Sequence, residues 1–138
     1  KTLEATAATM DSAGVIHVVG LAGAPAQRLW YTTDAGAVAG QDVILGPAVG
    51  EKVSEATYPV IQHDRRGQLY VSYRDHASGE ARLTAVEAKS GQFLPPVMIG
   101  PATPRRLRWN PHLAAAPGQG VLVVWENNGE IFLRSAEL

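Results

Sequence analysis

Arg74, Asp75 and His76 follow one another directly in this chain, with Ser78 two positions on. A guanidinium is a planar fork that makes paired hydrogen bonds to carboxylates and sulfates. Arg105, Arg106 and Arg108 stand just before Trp109 and Asn110, and Glu126, Asn127 and Asn128 form a third polar group. Tyr58 and Trp109 offer flat apolar surfaces on which a sugar ring can rest. These residue types suit an acidic saccharide. The candidate ligand-binding set is Tyr58, Arg74, Asp75, His76, Arg105, Arg108, Trp109 and Asn127. No catalytic residue is assigned. Metal-ligand spacings, phosphate-binding glycine loops and nucleophile elbows are all missing from the sequence, so neither a metal nor a cofactor is expected.

Residues so far apart meet only if the chain brings them to one end of a repeated scaffold. Gly14, Gly67 and Gly120 are spaced 53 residues apart, and each opens a strand-like run: Val15-Ile-His-Val-Val, Gln68-Leu-Tyr-Val-Ser and Val121-Leu-Val-Val-Trp. Period-two reading predicts Ile16, Leu69 and Leu122, then Val18, Val71 and Val124, on the core face. Asp11-Ser-Ala-Gly14 and Asp64-Arg-Arg-Gly67 read as tight turns, with Asp accepting from turn amides and Gly at positive φ. Pro117-Gly-Gln-Gly120 stands in their place in the third copy. Ile44-Leu-Gly-Pro-Ala48 and Met98-Ile-Gly-Pro-Ala102 repeat as well, and Pro59 and Pro111 each read as the start of a strand.

The expected unit has four antiparallel strands. The first follows the proline and the second follows the glycine. The third spans 27–33, 81–88 and 130–136, and the fourth spans 43–45 and 97–99. The fold class is therefore all-β: a single domain of three four-stranded repeats, about 5–53, 54–106 and 107–138, read as blades of a β-propeller. They would form half of a six-bladed ring or part of a larger propeller. A single β-sandwich is the alternative. The third copy has no fourth strand of its own, and 1–5 is the candidate to supply it. Three blades are too few to close a ring, so the partners expected are a second copy of the chain or the rest of a longer one.

In such a unit the loops that enter the first strand and those that leave the second share one end, and that end collects the candidate set. The Asp-x-x-Gly turns fall at the other end, where Asp11 and Asp64 read as structural. His17 lies between Ile16 and Val18 and reads as a satisfied strand residue. His63, before a turn, reads as a surface residue. Trp125 reads as a gap filler between repeats.

Composition sets outer bounds. The chain has 138 residues, 46% apolar and 18% charged, with a formal net charge of −1. It is too apolar for disorder, and its bulk charge does not suit a polyanion binder. Nucleic acid and membrane are not expected partners. The chain has no cysteine, which excludes disulfides and thiolate zinc sites. No apolar run reaches the roughly 20 residues that span a bilayer. The first residue is Lys1, consistent with a processed or excised piece. A secreted or periplasmic location is favoured.

The run Thr57-Tyr-Pro-Val-Ile-Gln-His-Asp-Arg-Arg-Gly-Gln-Leu-Tyr-Val-Ser-Tyr-Arg-Asp75, with Ser78-Gly79 after it, resembles the BNR-type repeat of sialidase-like propellers. It is most similar to the BNR-repeat proteins that include ulvan-type polysaccharide lyases. Asp11-Ser-Ala-Gly-Val-Ile-His17 and Leu29-Trp-Tyr-Thr-Thr33 look like another such repeat. The sialidase Asp-box is missing from all three copies. The lyases are associated with His and Tyr for proton transfer and Arg for the uronate, which the resemblance would carry to His76, Tyr58 and Arg74. Three functions stay open: carbohydrate recognition without chemistry, a lyase or sialidase-like glycosidase on acidic glycans, and a structural or protein-interaction module.

Overall fold

The computed structural model describes residues 3–22, 28–33, 56–75, 78–87, 92–100, 111–116, 120–127 and 129–138. Eleven strands and no helix occur among these residues. In chain order they are β1 (Leu3–Met10), β2 (Ile16–Ala22), β3 (Arg28–Thr33), β4 (Ala56–His63), β5 (Leu69–Asp75), β6 (Ala81–Glu87), β7 (Gln92–Phe93), β8 (Val97–Gly100), β9 (His112–Ala115), β10 (Val121–Asn127) and β11 (Glu130–Ala136).

They form three antiparallel sheets in chain order: β1-β2-β3, then β4-β5-β6 with β7 and β8 along the outer edge of β6, then β9-β10-β11. The third strand of each unit falls where the sequence predicts it. The fourth does so in the middle sheet, but in two pieces. β7 pairs one end of β6 and β8 the other. Pro95 and Pro96 stand between them, and a residue without an N–H cannot continue a ladder. Leu94 bridges the break, donating its N–H to Ala85 O at 2.8 Å. The expected fourth strand over 43–45 lies outside the described residues. Residues 3 and 4 pair with Ala22 and Leu21, so the N-terminal segment is the first strand of the first sheet and does not complete the third.

The sheets stack face to face. Val19, Leu21, Leu29 and Tyr31 of the first meet Ile61, Leu69, Val71, Tyr73 and Val86 of the second in one core. Tyr70, Ala81, Leu83, Ala85 and Ile99, on the second sheet's other face, meet Leu113, Val121, Val123 and Trp125 of the third in another. The backbones also lie close along the first strands, β1 beside β4 and β4 beside β9.

The predicted core face holds in only one sheet. Leu69 and Val71 are fully buried, but Ile16 is exposed, and Val18, Leu122 and Val124 are half-buried. Two causes account for this. The middle sheet is covered on both sides, so all seven residues of β5 are buried, whereas each outer sheet is covered on one. The third copy is also displaced by one residue. Asp11 N–H donates to Val15 O, Asp64 N–H to Gln68 O, and Ala116 N–H to Gly120 O. Gly120 therefore corresponds to Val15 and Gln68, one residue beyond the turn glycines. Val121, Val123 and Trp125 take the places of Leu69, Val71 and Tyr73. A side chain at Gly120, whose φ is +78°, would also collide with the Ala136 carbonyl.

Pro59 does not start its strand. It is the fourth residue of β4, at a bulge where pairing skips from Thr57 to Val60 and no ladder amide is needed. Tyr58, beside it, has φ +53°, left-handed backbone that costs a non-glycine residue about 1–2 kcal/mol.

The shifted register has a direct consequence. Val123→Ala should cost about 2 kcal/mol, since a fully buried side chain loses two methyl groups and leaves a cavity. Val124→Ala, half-buried, should cost clearly less. Urea unfolding of dilute protein measures both, and the reverse order would contradict the register.

Candidate functional site

The sheets have two distinct ends. At one lie the Asp-x-x-Gly turns. Asp11 Oδ1 accepts from Ala13 and Val15 N–H, both at 2.9 Å; Asp64 Oδ1 accepts from Arg66 and Gln68 N–H at 2.9 and 3.0 Å. Gly14 and Gly67 both sit at φ +82°, as the turns require. Asp64 also ties the sheets together. Its Oδ2 accepts from Gly120 N–H in the third sheet at 3.2 Å. Thr9 of the first sheet bonds Gln62 and His63 of the second, each at 3.1 Å. His63 is thus half-buried between sheets, where the sequence suggested an ordinary surface residue. His17 is buried and satisfied, its Nδ1 2.8 Å from the Tyr31 hydroxyl and its Nε2 3.3 Å from Asp11 Oδ2. Hydrogen bonds from Val15 and then His17 and Ala13 hold the Asp11 carboxyl below its ordinary value, although burial opposes them.

The opposite end carries the described members of the candidate set: Tyr58, Arg74, Asp75 and the backbone of Asn127. Both β5 and β10 start at the turn end, linked there by Asp64 and Gly120, so their last residues, Asp75 and Asn127, share the far end. Ladder pairs place Ala56 and Thr57 opposite Asp75 and Arg74, so Tyr58 and Pro59 stand at the same rim. The sequence placed Arg74 and Asp75 in an exposed loop. They are instead the last residues of β5, 7% and 2% exposed, because the strand runs two residues further between its neighbours. His76, Arg105, Arg108 and Trp109 lie outside the described residues. So does the connection 101–110, but it leaves β8 at Gly100, opposite Ala81, and reaches β9 at His112, opposite Val124.

Asp75 organises this rim. Its backbone N–H donates to Glu80 O at 2.8 Å and its carbonyl accepts from Gly79 N–H at 2.7 Å. Its Oδ1 accepts from Ser78 N–H at 3.2 Å, and its Oδ2 lies 3.4 Å from Arg82 Nε. Arg82 also donates to Glu80 Oε2 from Nη2 at 3.0 Å and from Nε at 3.3 Å. Burial pushes the Tyr73 hydroxyl, opposite Arg82 in the ladder, up to about 12, despite the nearby guanidinium. Arg82 and Glu80 were not among the sequence candidates. Glu80 stands just before β6 and Arg82 is its second residue, so the available signal was only a spacing of two across the strand's start. In the third sheet Glu126 accepts from Gly129 N–H at 2.5 Å. Trp125 fills the gap between sheets as expected, stacked on Phe132 with ring centres 5.6 Å apart and close against Gly100.

Asp11, Asp64, Asp75, Glu80 and Glu126 are each held by a turn amide or by Arg82, whereas Glu130 and Glu137 are exposed. Tyr58 is 38% exposed and presents an aromatic ring at the rim from strained backbone. The described residues contain no group of three or more His, Cys, Asp or Glu able to hold a metal ion. No helix among them is long and apolar enough to cross a membrane.

The chain matches no known protein-family model, and no curated protein is significantly similar to it.

The sign of the Asp11 effect fixes its pH dependence. A carboxyl lowered in the folded state stabilises above its unfolded value of about 4, and the contribution is lost as pH falls through the folded value. Stability of the protein should therefore decline below about pH 4, and Asp11→Asn should flatten that limb. An unchanged acid limb in thermal melts would contradict the role of Asp11.

Proposed function

We propose that this chain is a propeller-type module that recognises acidic saccharides at the rim opposite the Asp-x-x-Gly turns. One observation carries the reading. Tyr58 is a large aromatic residue held exposed at φ +53°, where glycine would be unstrained. Strained backbone of this kind persists when the surroundings enforce it, and it gathers at sites of function. An exposed ring at fixed orientation is a stacking platform for a sugar. Arg74 ends β5 at the same rim, and the Arg105–Arg108 run of the sequence candidates lies outside the described residues.

Recognition is favoured over chemistry because three carboxylates at this rim, Asp75, Glu80 and Glu126, are held by structural partners. Asp75 and Glu80 both face Arg82, and Glu126 caps its own turn. A general acid or base has to be within reach of a substrate proton, not held by a structural partner. The stacked repeats, with their first strands side by side, support a propeller reading over a two-layer sandwich, which would leave no sheet covered on both faces.

Tyr58→Gly separates function from folding. It should leave stability unchanged or raise it by up to about 1 kcal/mol, since strain is relieved while unfolded-state entropy rises. It should also weaken binding to a sulfated or uronate-bearing oligosaccharide at least tenfold. Arg65→Ala, exposed at the turn end, should leave binding unchanged. Wild-type binding should weaken as salt rises. Calorimetry with both variants tests this. Equal affinity in wild type and Tyr58→Gly would overturn the site, and new unsaturated sugar ends during incubation would favour a lyase.

A further inference from the structure

The two outermost faces of the stack carry exposed apolar side chains, interspersed on the third sheet with His112, Glu126 and Ser135. On the first sheet the open face carries Ala8, Met10, Ile16 and Val18, with Met10 61% and Ile16 42% exposed. On the third it carries Leu122, Val124, Ile131 and Leu133, with Ile131 79% and Leu133 65% exposed. Period-two alternation assigns both sets, since the opposite sides of these sheets are buried in the two cores.

These faces are not arbitrary surfaces. Ile16 and Val18 correspond to Leu69 and Val71, and to Val121 and Val123, by the matching turn bonds. In both internal interfaces that face packs on the preceding sheet. Leu122 and Val124 correspond to Tyr70 and Ser72, and to His17 and Val19, the face that receives the following sheet. The open face of the first sheet is thus the kind that the open face of the third accepts. Continuing the operation that relates one sheet to the next brings the third sheet of one molecule against the first sheet of another. Such a contact is heterologous, so it either closes a ring or propagates without limit. Two copies of the three described sheets make six, within the roughly four to eight that close a propeller.

We infer that this chain assembles head to tail with a second copy of itself, the Ile16 face of each against the Leu133 face of the other, closing a six-sheet ring. The proposal does not depend on the saccharide reading. Exposed apolar area of this kind marks an interaction surface.

Light scattering on the full chain at tens of micromolar should give twice the chain mass. Ile16→Lys and Leu133→Lys, both at exposed positions, should each return it to a single chain with an unchanged circular dichroism spectrum. A single-chain mass for the wild type, or a mass that keeps rising with concentration, would overturn the closed pair. Cross-linking tests the topology against a background free of cysteine. Ile16→Cys mixed with Leu133→Cys should be joined by a short bismaleimide, and either variant alone should not. Cross-linking within one variant alone would mean like faces meet, which contradicts the head-to-tail contact.

Discussion

All seven residues of β5 are buried, with side chains alternating into two cores. Leu69, Val71 and Tyr73 enter the core shared with the first sheet, and Tyr70 the one shared with the third. A strand covered on both faces has no side on which polar groups escape to water. Its polar residues must therefore be satisfied within the protein, stand at its ends or carry a desolvation cost, as does the buried Ser72 hydroxyl, which has no hydrogen-bond partner among the described residues. Asp75 does the first two: it lies at the end of the strand, and its carboxylate is shared between the Ser78 amide and Arg82. The neighbouring sheets each contribute one buried face to this arrangement, and their other faces remain open.

The two ends of the stack serve different purposes. At the turn end, bonds cross between sheets: Thr9 to Gln62 and His63, and Asp64 to Gly120. Asp64 is almost fully buried, so its removal would orphan three backbone donors at once. Substitutions there act on the whole stack. At the other end, the interactions between described residues include local ones within the turns after β5 and β10 and within the Glu80–Arg82 pair. A rigid end that locks sheet to sheet leaves the far end able to carry a bulge and a strained tyrosine, the setting in which binding residues are usually found.

Much of this was legible in the sequence because local chemistry decides it. The Asp-x-x-Gly turns, the third strand of each unit, a satisfied His17 and gap-filling Trp125 each follow from residue type and short-range spacing. The third copy was misaligned because glycine served as the landmark. Gly14 and Gly67 close turns, while Gly120 stands one residue later, where the Ala136 carbonyl leaves no room for a side chain. Pro59 was misplaced for a related reason: a bulge, like a strand start, spares an amide, and sequence does not distinguish the two. Burial of Arg74 and Asp75 depends on sheets packed from either side, a long-range fact without a local signature. The Glu80–Arg82 pair was visible as a spacing of two, but its link to Asp75 needs the turn between β5 and β6.

The central claim is that the middle sheet is sealed on both faces by its neighbours. Native-state hydrogen exchange tests it most directly, because amides at the heart of a fold exchange only by global unfolding, while those at its margins open locally. The amides of Val71, Ser72 and Tyr73 in β5 should exchange most slowly of all, at a free energy equal to that of complete unfolding. Those of β11, whose residues from Glu130 to Ser135 are exposed, should exchange far faster. Exchange in β5 as fast as in β11 would contradict the stacked arrangement.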